Sequence, residues 1–286
     1  MTELRMGTCS WRYDSWQGLV YSAAKGIDYL KEYASQFNTV EIDRWFWSLF
    51  NEENVVLPNP SDAQVYRQSV PDDFRFTIKV PNSITLTHFY QKNKDEPLQP
   101  NPYFLSVELF QRFLTTIAPL RDVLGPLMFQ FEYLNLHKME SQARFHTLLG
   151  AFVKQLPTGY QYGLEVRNPP YLNRSLFEFL NGSGLVPVFL QGYYMPPVTE
   201  IFDRYRSLVL KQKTVVIRLH GPDRQGMEER TGKRWDKVVE ARDAELAGIA
   251  VMVRHLLSQG ITVYVNTNNH YEGSAPLTID RLRHLL

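Results

Sequence analysis

The sequence predicts an α/β protein of the (β/α)8 TIM-barrel class, with one domain over residues 1–286. Three observations predict it. Eight short apolar runs of strand length alternate with helical periods, and a strand–helix–strand crossover is what parallel pairing requires. Strand-to-helix connections are long while helix-to-strand ones are mostly a few residues, the asymmetry of barrels that carry their sites at the C-terminal strand ends. No Gly-rich phosphate fingerprint follows any strand, which sets a doubly wound open sheet below the barrel.

In chain order, Leu4–Cys9 reads as the first strand, followed by an aromatic loop, WRYDSWQGLVYS. Ile27–Phe37 is an amphipathic helix with Ile27, Leu30, Ala34 and Phe37 on one stripe. Thr39–Asp43 is the second strand. Ser61 is positioned to cap a short helix running to Gln68. Phe74–Val80 is the third strand, ended by Pro81, and a long loop, Pro81–Tyr103, follows. Phe104–Leu124 reads as a long helix stopped at Gly125-Pro126, and Leu127–Phe131 as the fourth strand. Ser141–Gln155 is helical, Gln161–Arg167 the fifth strand, Ser175–Leu180 a helix broken by Gly182 and Gly184. Leu185–Leu190 is the sixth strand, Ile201–Lys211 helical, and Thr214–His220 the seventh strand. A charged loop, GPDRQGMEERTGKRW, precedes a long helix, Asp236–Ser258. Ile261–Thr267 is the eighth strand, and Pro276 suits the first turn of a last helix.

The chain is long enough for one sizeable core, with 286 residues and 44% hydrophobic content. Its net charge of +1 gives no global electrostatic case for nucleic-acid or membrane binding. The single cysteine, Cys9, excludes an intramolecular disulfide and suits a reducing cytosol. No run approaches the roughly 18 apolar residues of a membrane span, and MTELRMGTCSW has no secretory apolar core. A cytoplasmic protein is therefore expected.

One device recurs at the strand ends. In VVIRLH, Val215, Ile217 and Leu219 share one face, while Val216, Arg218 and His220 share the other. VEID, FTIK, LEVR and VYVNTN repeat it: a short apolar strand delivers polar groups at its C-terminal end. Strands of a parallel barrel are covered on both faces, so such groups point to a shared interior pocket. Glu41 and Glu165 are the acid–base candidates, with His220 as helper. Lys79, Arg167 and Arg218 could clamp a phosphate or carboxylate, where arginine engages two oxygens at once. Asp43, Gln130, Asn266 and Asn268 join as polar contacts, His88 as a loop contact, and Trp11 as a stacking face. The bland reading of Glu165 and Arg167 is an internal ion pair that fills the mouth. Cys9 reads as a small core residue rather than a nucleophile. Trp16, Tyr21, Trp45, Phe46 and Trp47 read first as packing, although aromatics at a mouth can also stack on a sugar or a base.

At these residues the chain resembles the YecE-like family, domain of unknown function 72. The resemblance rests on GTCSW with W-x-G at Trp16–Gly18, FNTVEID, FRFTIKVPNSITLTH, LMFQF, LEVRNP, VIRLHG and VYVNTNNHYEGSAP, in that order. It implies a TIM barrel distantly similar to sugar isomerases and apurinic endonucleases, and no established activity. The chain departs from the family pattern at Asp43, where Asn is expected, at Cys9, at RWFW, and in QFEYLN, which lacks a Pro after QF.

Three functions follow as expectations. The first is an enzyme acting on a small anionic or sugar-like substrate. The second, less favoured, is a nucleic-acid binding or repair protein, motivated by fold analogy and the basic stretch Arg224–Arg234. The third is a non-catalytic ligand-binding module. No cofactor and no catalytic metal are expected, because strand six offers no carboxylate and Arg167 and Arg218 stand beside any cation. At least one arginine is expected to be partly unpaired, with an oxyanion bound between Arg218 and either Lys79 or Arg167. The loop Pro81–Tyr103 is expected to act as a lid.

Overall fold

The structure, a computed structural model, describes residues 2–23, 25–51, 54–91, 93 and 95–286. Eight parallel strands build the centre: β1 Leu4–Thr8, β2 Thr39–Ile42, β3 Arg75–Lys79, β4 Leu124–Gln130, β5 Tyr162–Glu165, β6 Val186–Gly192, β7 Thr214–Gly221 and β8 Thr262–Thr267. The hydrogen-bonded order runs β1-β8-β7-β6-β5-β4-β3-β2. The two end strands meet at a seam, where Cys9 bridges Glu41 in parallel and the Ser10 amide donates to the Glu41 carbonyl at 3.0 Å. Gly7 makes the seam possible: a Cβ there would lie 1.9 Å from the Thr39 carbonyl oxygen. Ten helices lie along the chain among the described residues: α1 Tyr29–Ala34, α2 Pro60–Gln68, α3 Asn82–Thr85, α4 Val107–Thr116, α5 Gln142–Val153, α6 Arg174–Ser183, α7 Val198–Val209, α8 Arg224–Thr231, α9 Asp243–Ser258 and α10 Ala275–Leu285. A short hairpin, Leu49–Asn51 with Asn54–Val55, decorates the loop after β2. This is the TIM-barrel-like α/β architecture the sequence predicts.

Alternation sorts the strand residues. Val215, Ile217 and Leu219 of β7 pack outward into the large core shared with the helices. Met128, Val186, Val188, Val216 and Tyr264 form a separate buried cluster that fills the barrel interior. Farther along each strand the interior turns polar. The register sets Glu41 beside Thr77, Gln130 beside Glu165 and Asn266 beside Arg218, so one level of the barrel holds all six.

Several element boundaries differ from the sequence reading. Asn59, not Ser61, caps α2, its side chain accepting from the Ser61 amide at 3.0 Å with Pro60 in the first turn. The expected long helix 104–124 is α4, capped by Ser106, followed by a separate 3-10 turn Ala118–Val123 that contains Pro119. Gly125 and Pro126 do not stop a helix. They lie in β4 where its pairing with β3 slips, and the bare Gly125 admits the Tyr264 ring. Proline is tolerated at such a bulge because the ladder already lacks a bond there. The charged stretch after β7 is not all loop. Asp223 caps α8 by accepting from the Gly226 amide at 2.9 Å, and Gly232 closes it in the left-handed conformation. The helix expected from Asp236 begins only at Asp243. Gly182 lies inside α6, and Gly184 is its left-handed cap.

Candidate functional site at the C-terminal mouth

Arg218, carried by β7, is the centre of the interior polar level and is only 1% exposed. Its Nε donates to Glu41 Oε2 at 2.7 Å and its Nη2 to Glu41 Oε1 at 2.6 Å, a two-pronged grip on one carboxylate. Its Nη1 donates to Glu165 Oε2 and, at 3.3 Å, to Gln130 Oε1. Asn266 donates to Glu41 Oε2 at 3.2 Å and to Thr77 Oγ1 at 2.9 Å. The expectation that Arg218 stands open to an oxyanion fails: the guanidinium is sealed beneath the mouth and spent on two buried carboxylates. Strand parity had placed the charges on one face correctly, but parity does not say which charges pair. Burial alone would raise the Glu165 carboxyl. Arg218, Arg167 and Lys79 outweigh it and hold that carboxyl below its usual range.

One step farther out the groups are less committed. Arg167 follows β5 with its side chain 24% exposed. Its Nε donates to Glu165 Oε1 at 3.1 Å and its Nη2 to Gln130 Oε1 at 3.1 Å. Its Nη1 makes no hydrogen bond among the described residues. The expected internal pair with Glu165 thus exists, yet it leaves an edge of the guanidinium free. Lys79 ends β3 at 9% exposed, its Nζ 3.7 Å from the centroid of the Phe46 ring. Among the described residues no hydrogen bond or ion pair reaches that Nζ. Burial, and then Arg218, depress its pKa to about 8 against the opposing pull of Glu41, Asp43 and Glu165.

Asp43 follows β2, where the chain turns into a 3-10 turn, and stands within electrostatic reach of Lys79. Burial and the neighbouring Glu41 raise its carboxyl above the ordinary value. It also lines a cleft of about 730 Å³ together with Trp11, Arg12, Arg44 and Tyr66. Trp11 is buried, edge-on to Tyr66 at 4.9 Å between centroids. His220 at the end of β7 has Nε2 3.7 Å from Cys9 Sγ and Nδ1 3.4 Å from the Tyr193 hydroxyl. Burial, then Arg218, Arg167 and Lys79, push its pKa well down, so the imidazole is neutral. Burial and Glu41 push the Cys9 thiol up, which keeps it from being a thiolate nucleophile.

Two expected contacts lie apart. Asn268 turns into the loop after β8, its Oδ1 accepting from the His270 amide at 3.0 Å. His88 has Nδ1 2.9 Å from Thr87 Oγ1, with Lys138 and Glu132 as charged neighbours, and no hydrogen bond joins it to the Arg218 network among the described residues. Its loop is tied down at the base. Residues 82–87 are buried, and Asn101 donates to the Ser83 and Leu86 carbonyls at 2.8 and 2.7 Å. Lys92 and Lys94 of that loop lie outside the described residues. Of the aromatic group, Trp16, Tyr21, Trp45 and Phe46 are buried and Trp47 is exposed.

Sequence reasoning missed Tyr193 and the role of Phe46. Tyr193 sits at φ 54 after β6, its ring 5.1 Å from the Arg167 guanidinium carbon. Nothing in the QGYYMPP stretch marks one tyrosine as the one that faces the mouth. Cys9 Sγ, a Glu41 oxygen and a His220 nitrogen lie within 4.8 Å of one another and could hold a metal ion. Both Glu41 oxygens already accept from Arg218, so a cation would have to displace that guanidinium.

Eight parallel strands ringed by helices, with a polar layer inside their C-terminal ends, define a TIM-barrel-like protein. The chain belongs to the DUF72 family, a family of proteins of unknown function, whose model matches residues 5–286. Over 180 residues it is 28% identical to YecE of Escherichia coli K12, a UPF0759 protein, covering 63% of this chain and 54% of YecE. The chain thus matches about half the length of that curated relative. A DUF72 protein from Enterococcus faecalis V583 superposes with a TM-score of 0.71 at 20% identity, covering 99% of this chain and 95% of the other. One from Thermotoga maritima MSB8 gives 0.68 at 22% identity, covering 99% and 98%. Among the described residues no helix is long and apolar enough to cross a membrane.

Proposed function

We propose that the mouth binds a small ligand carrying a phosphate or carboxylate, and that the protein is an enzyme acting on that ligand by acid–base chemistry. The observation that carries the reading is the contrast between two levels of charge. Arg218 is fully engaged by Glu41 and Glu165, whereas Lys79 and one edge of Arg167 have no anionic partner among the described residues. A desolvated cation without a counter-ion is expensive to maintain, and an incoming oxyanion would relieve that cost. Asp43 and Glu165 supply carboxyls shifted in opposite directions, the pattern that separates a proton donor from an acceptor. Neutral His220 offers a further proton carrier.

The basic stretch Arg224–Arg234 gives less support to nucleic acid, because Arg224 and Lys233 are drawn to Glu228 and Arg234 to Asp236. Titration calorimetry with phosphate and with citrate tests the anion site. Saturable binding should weaken about tenfold or more in Arg167→Met and in Lys79→Met, the worth of one charge-assisted contact. Absence of saturable binding, or affinities unchanged in both variants, would remove the anion site.

A further inference from the structure

We propose that Lys79 is a carbonyl-trapping amine, which condenses with an aldehyde or ketone whose carboxylate or phosphate rests on the free edge of Arg167. This rests on the anion-binding reading above and names the substrate class of the same site.

Four observations converge on Lys79. It ends a barrel strand at the mouth, the position from which barrel enzymes present reacting groups. Its Nζ has no hydrogen-bond or ion-pair partner among the described residues, so no carboxylate must be displaced before the nitrogen can react. The Phe46 ring lies 3.7 Å from the Nζ and shields it from water. Finally, Asp43 is among the carboxylates within electrostatic reach of Lys79, yet no ion pair joins the two. The charged and titratable groups around Lys79 are Arg218, Glu41, Asp43 and Glu165, with His220 and Cys9 also within its electrostatic reach. Together they place its pKa at about 8, so about a tenth of the amine is free base at pH 7 and about half at pH 8. A lysine desolvated beside another cation is the usual way such a nucleophile is made.

The step balances without an external reagent. The ammonium gives one proton to Asp43, and the free amine adds to the carbonyl carbon, forming the C–N bond as the carbonyl π pair moves to oxygen. A second N–H proton moves to that oxygen, giving a neutral carbinolamine. Asp43 returns its proton to the hydroxyl, the C–O bond breaks, and water leaves. Ammonium plus carbonyl has become iminium plus water. The charge at the position of Nζ is +1 before and after, so the surrounding carboxylates are matched to both states.

The test uses the whole protein with glyoxylate, an aldehyde bearing a carboxylate, and sodium cyanoborohydride, which reduces the C=N bond to a stable secondary amine. Peptide mass mapping at pH 8 should find Lys79 modified about tenfold or more faster than the other lysines, whose free-base fraction there is about a hundredfold smaller. Sulfate should suppress labelling at Lys79 alone, and acetaldehyde, which lacks the anion, should label it more slowly. Asp43→Asn should slow trapping at Lys79, and Lys79→Arg should abolish it while still binding phosphate. Even labelling over all lysines, or no label on Lys79 while phosphate still binds, would refute the carbonyl chemistry and leave the anion site standing. Loss of both phosphate binding and labelling would refute the two together.

Discussion

At the scale of single residues, Lys79 and Arg218 are cations of opposite energetic character. The folded state holds Lys79 at about 8 where a free lysine stands at 10.5. Between those values the unfolded chain binds more protons, so this group's contribution improves as pH rises from about 8 to about 10.5. Below pH 8 the full penalty is present, up to about 3 kcal/mol at roughly 1.4 kcal/mol per pKa unit. Lys79→Met should therefore stabilise the protein at pH 7 by about 1–3 kcal/mol, as expected where a binding group is held at the expense of stability. Arg218→Met should do the reverse. It strands Glu41 and Glu165, both buried and both paired to Arg218, at a loss of about 3–5 kcal/mol. Urea denaturation of the two variants at pH 7 measures both, and a neutral Arg218→Met would contradict the pairing described. This is also where the sequence is least legible. Alternation along VVIRLH and VEID placed Arg218 and Glu41 inside the barrel, but their contact spans residues 177 apart in sequence. Nothing local distinguishes a sealed arginine from an open one.

At the scale of elements, strand existence was legible because the strands are short runs rich in apolar residues, most with polar groups at the C-terminal end. Helix boundaries were not, for identifiable reasons. α8 is charged on all sides and lacks an apolar stripe, so only its Asp223 and Gly232 caps announce it. Gly125-Pro126 looks like a helix stop until β4 is seen to slip against β3 at that point. The β1–β2 seam, which closes the barrel and brings Cys9 beside Glu41, hangs on a glycine that no local signal singles out. Gly7→Ala would drive a Cβ to 1.9 Å from the Thr39 carbonyl, an atom of fixed backbone. Overpacking of that kind costs about 1–3 kcal/mol or more, and relief requires β1 to move off β2. Gly18→Ala is a suitable control, for Gly18 has φ +81 with open space around it, so only conformational strain of about 1 kcal/mol applies. Thermal unfolding should show Gly7→Ala clearly the less stable, and the Ser10 amide, which donates across the seam, should lose hydrogen-exchange protection in that variant alone. Equal effects of the two substitutions would mean that the seam carries no special constraint.

At the scale of the whole molecule, the buried groups at the mouth make stability depend on pH. His220 is held neutral, with its pKa well below the ordinary 6.5. As pH falls below 6.5 the unfolded chain takes up a proton that the folded one refuses, so stability falls. Glu165, held below its ordinary 4.5, acts in the same direction at lower pH: its contribution is present above that value and lost as pH falls through the folded one. Asp43 opposes them, since its raised carboxyl takes a proton in the folded state first. Of these three only His220 has an ordinary value between pH 5 and 6.5, so its unfolded-state titration sets the fall expected there. One proton's difference gives a slope of about 1.4 kcal/mol per pH unit. Urea midpoints measured at pH 7, 6 and 5 should therefore fall steadily in the wild-type protein, and His220→Gln, which cannot titrate, should flatten the fall. A wild-type midpoint that does not move across this range would mean that the imidazole reaches water. The mouth would then be wetter than its burial implies, and the desolvation that lowers the Lys79 pKa to about 8 would be lost with it.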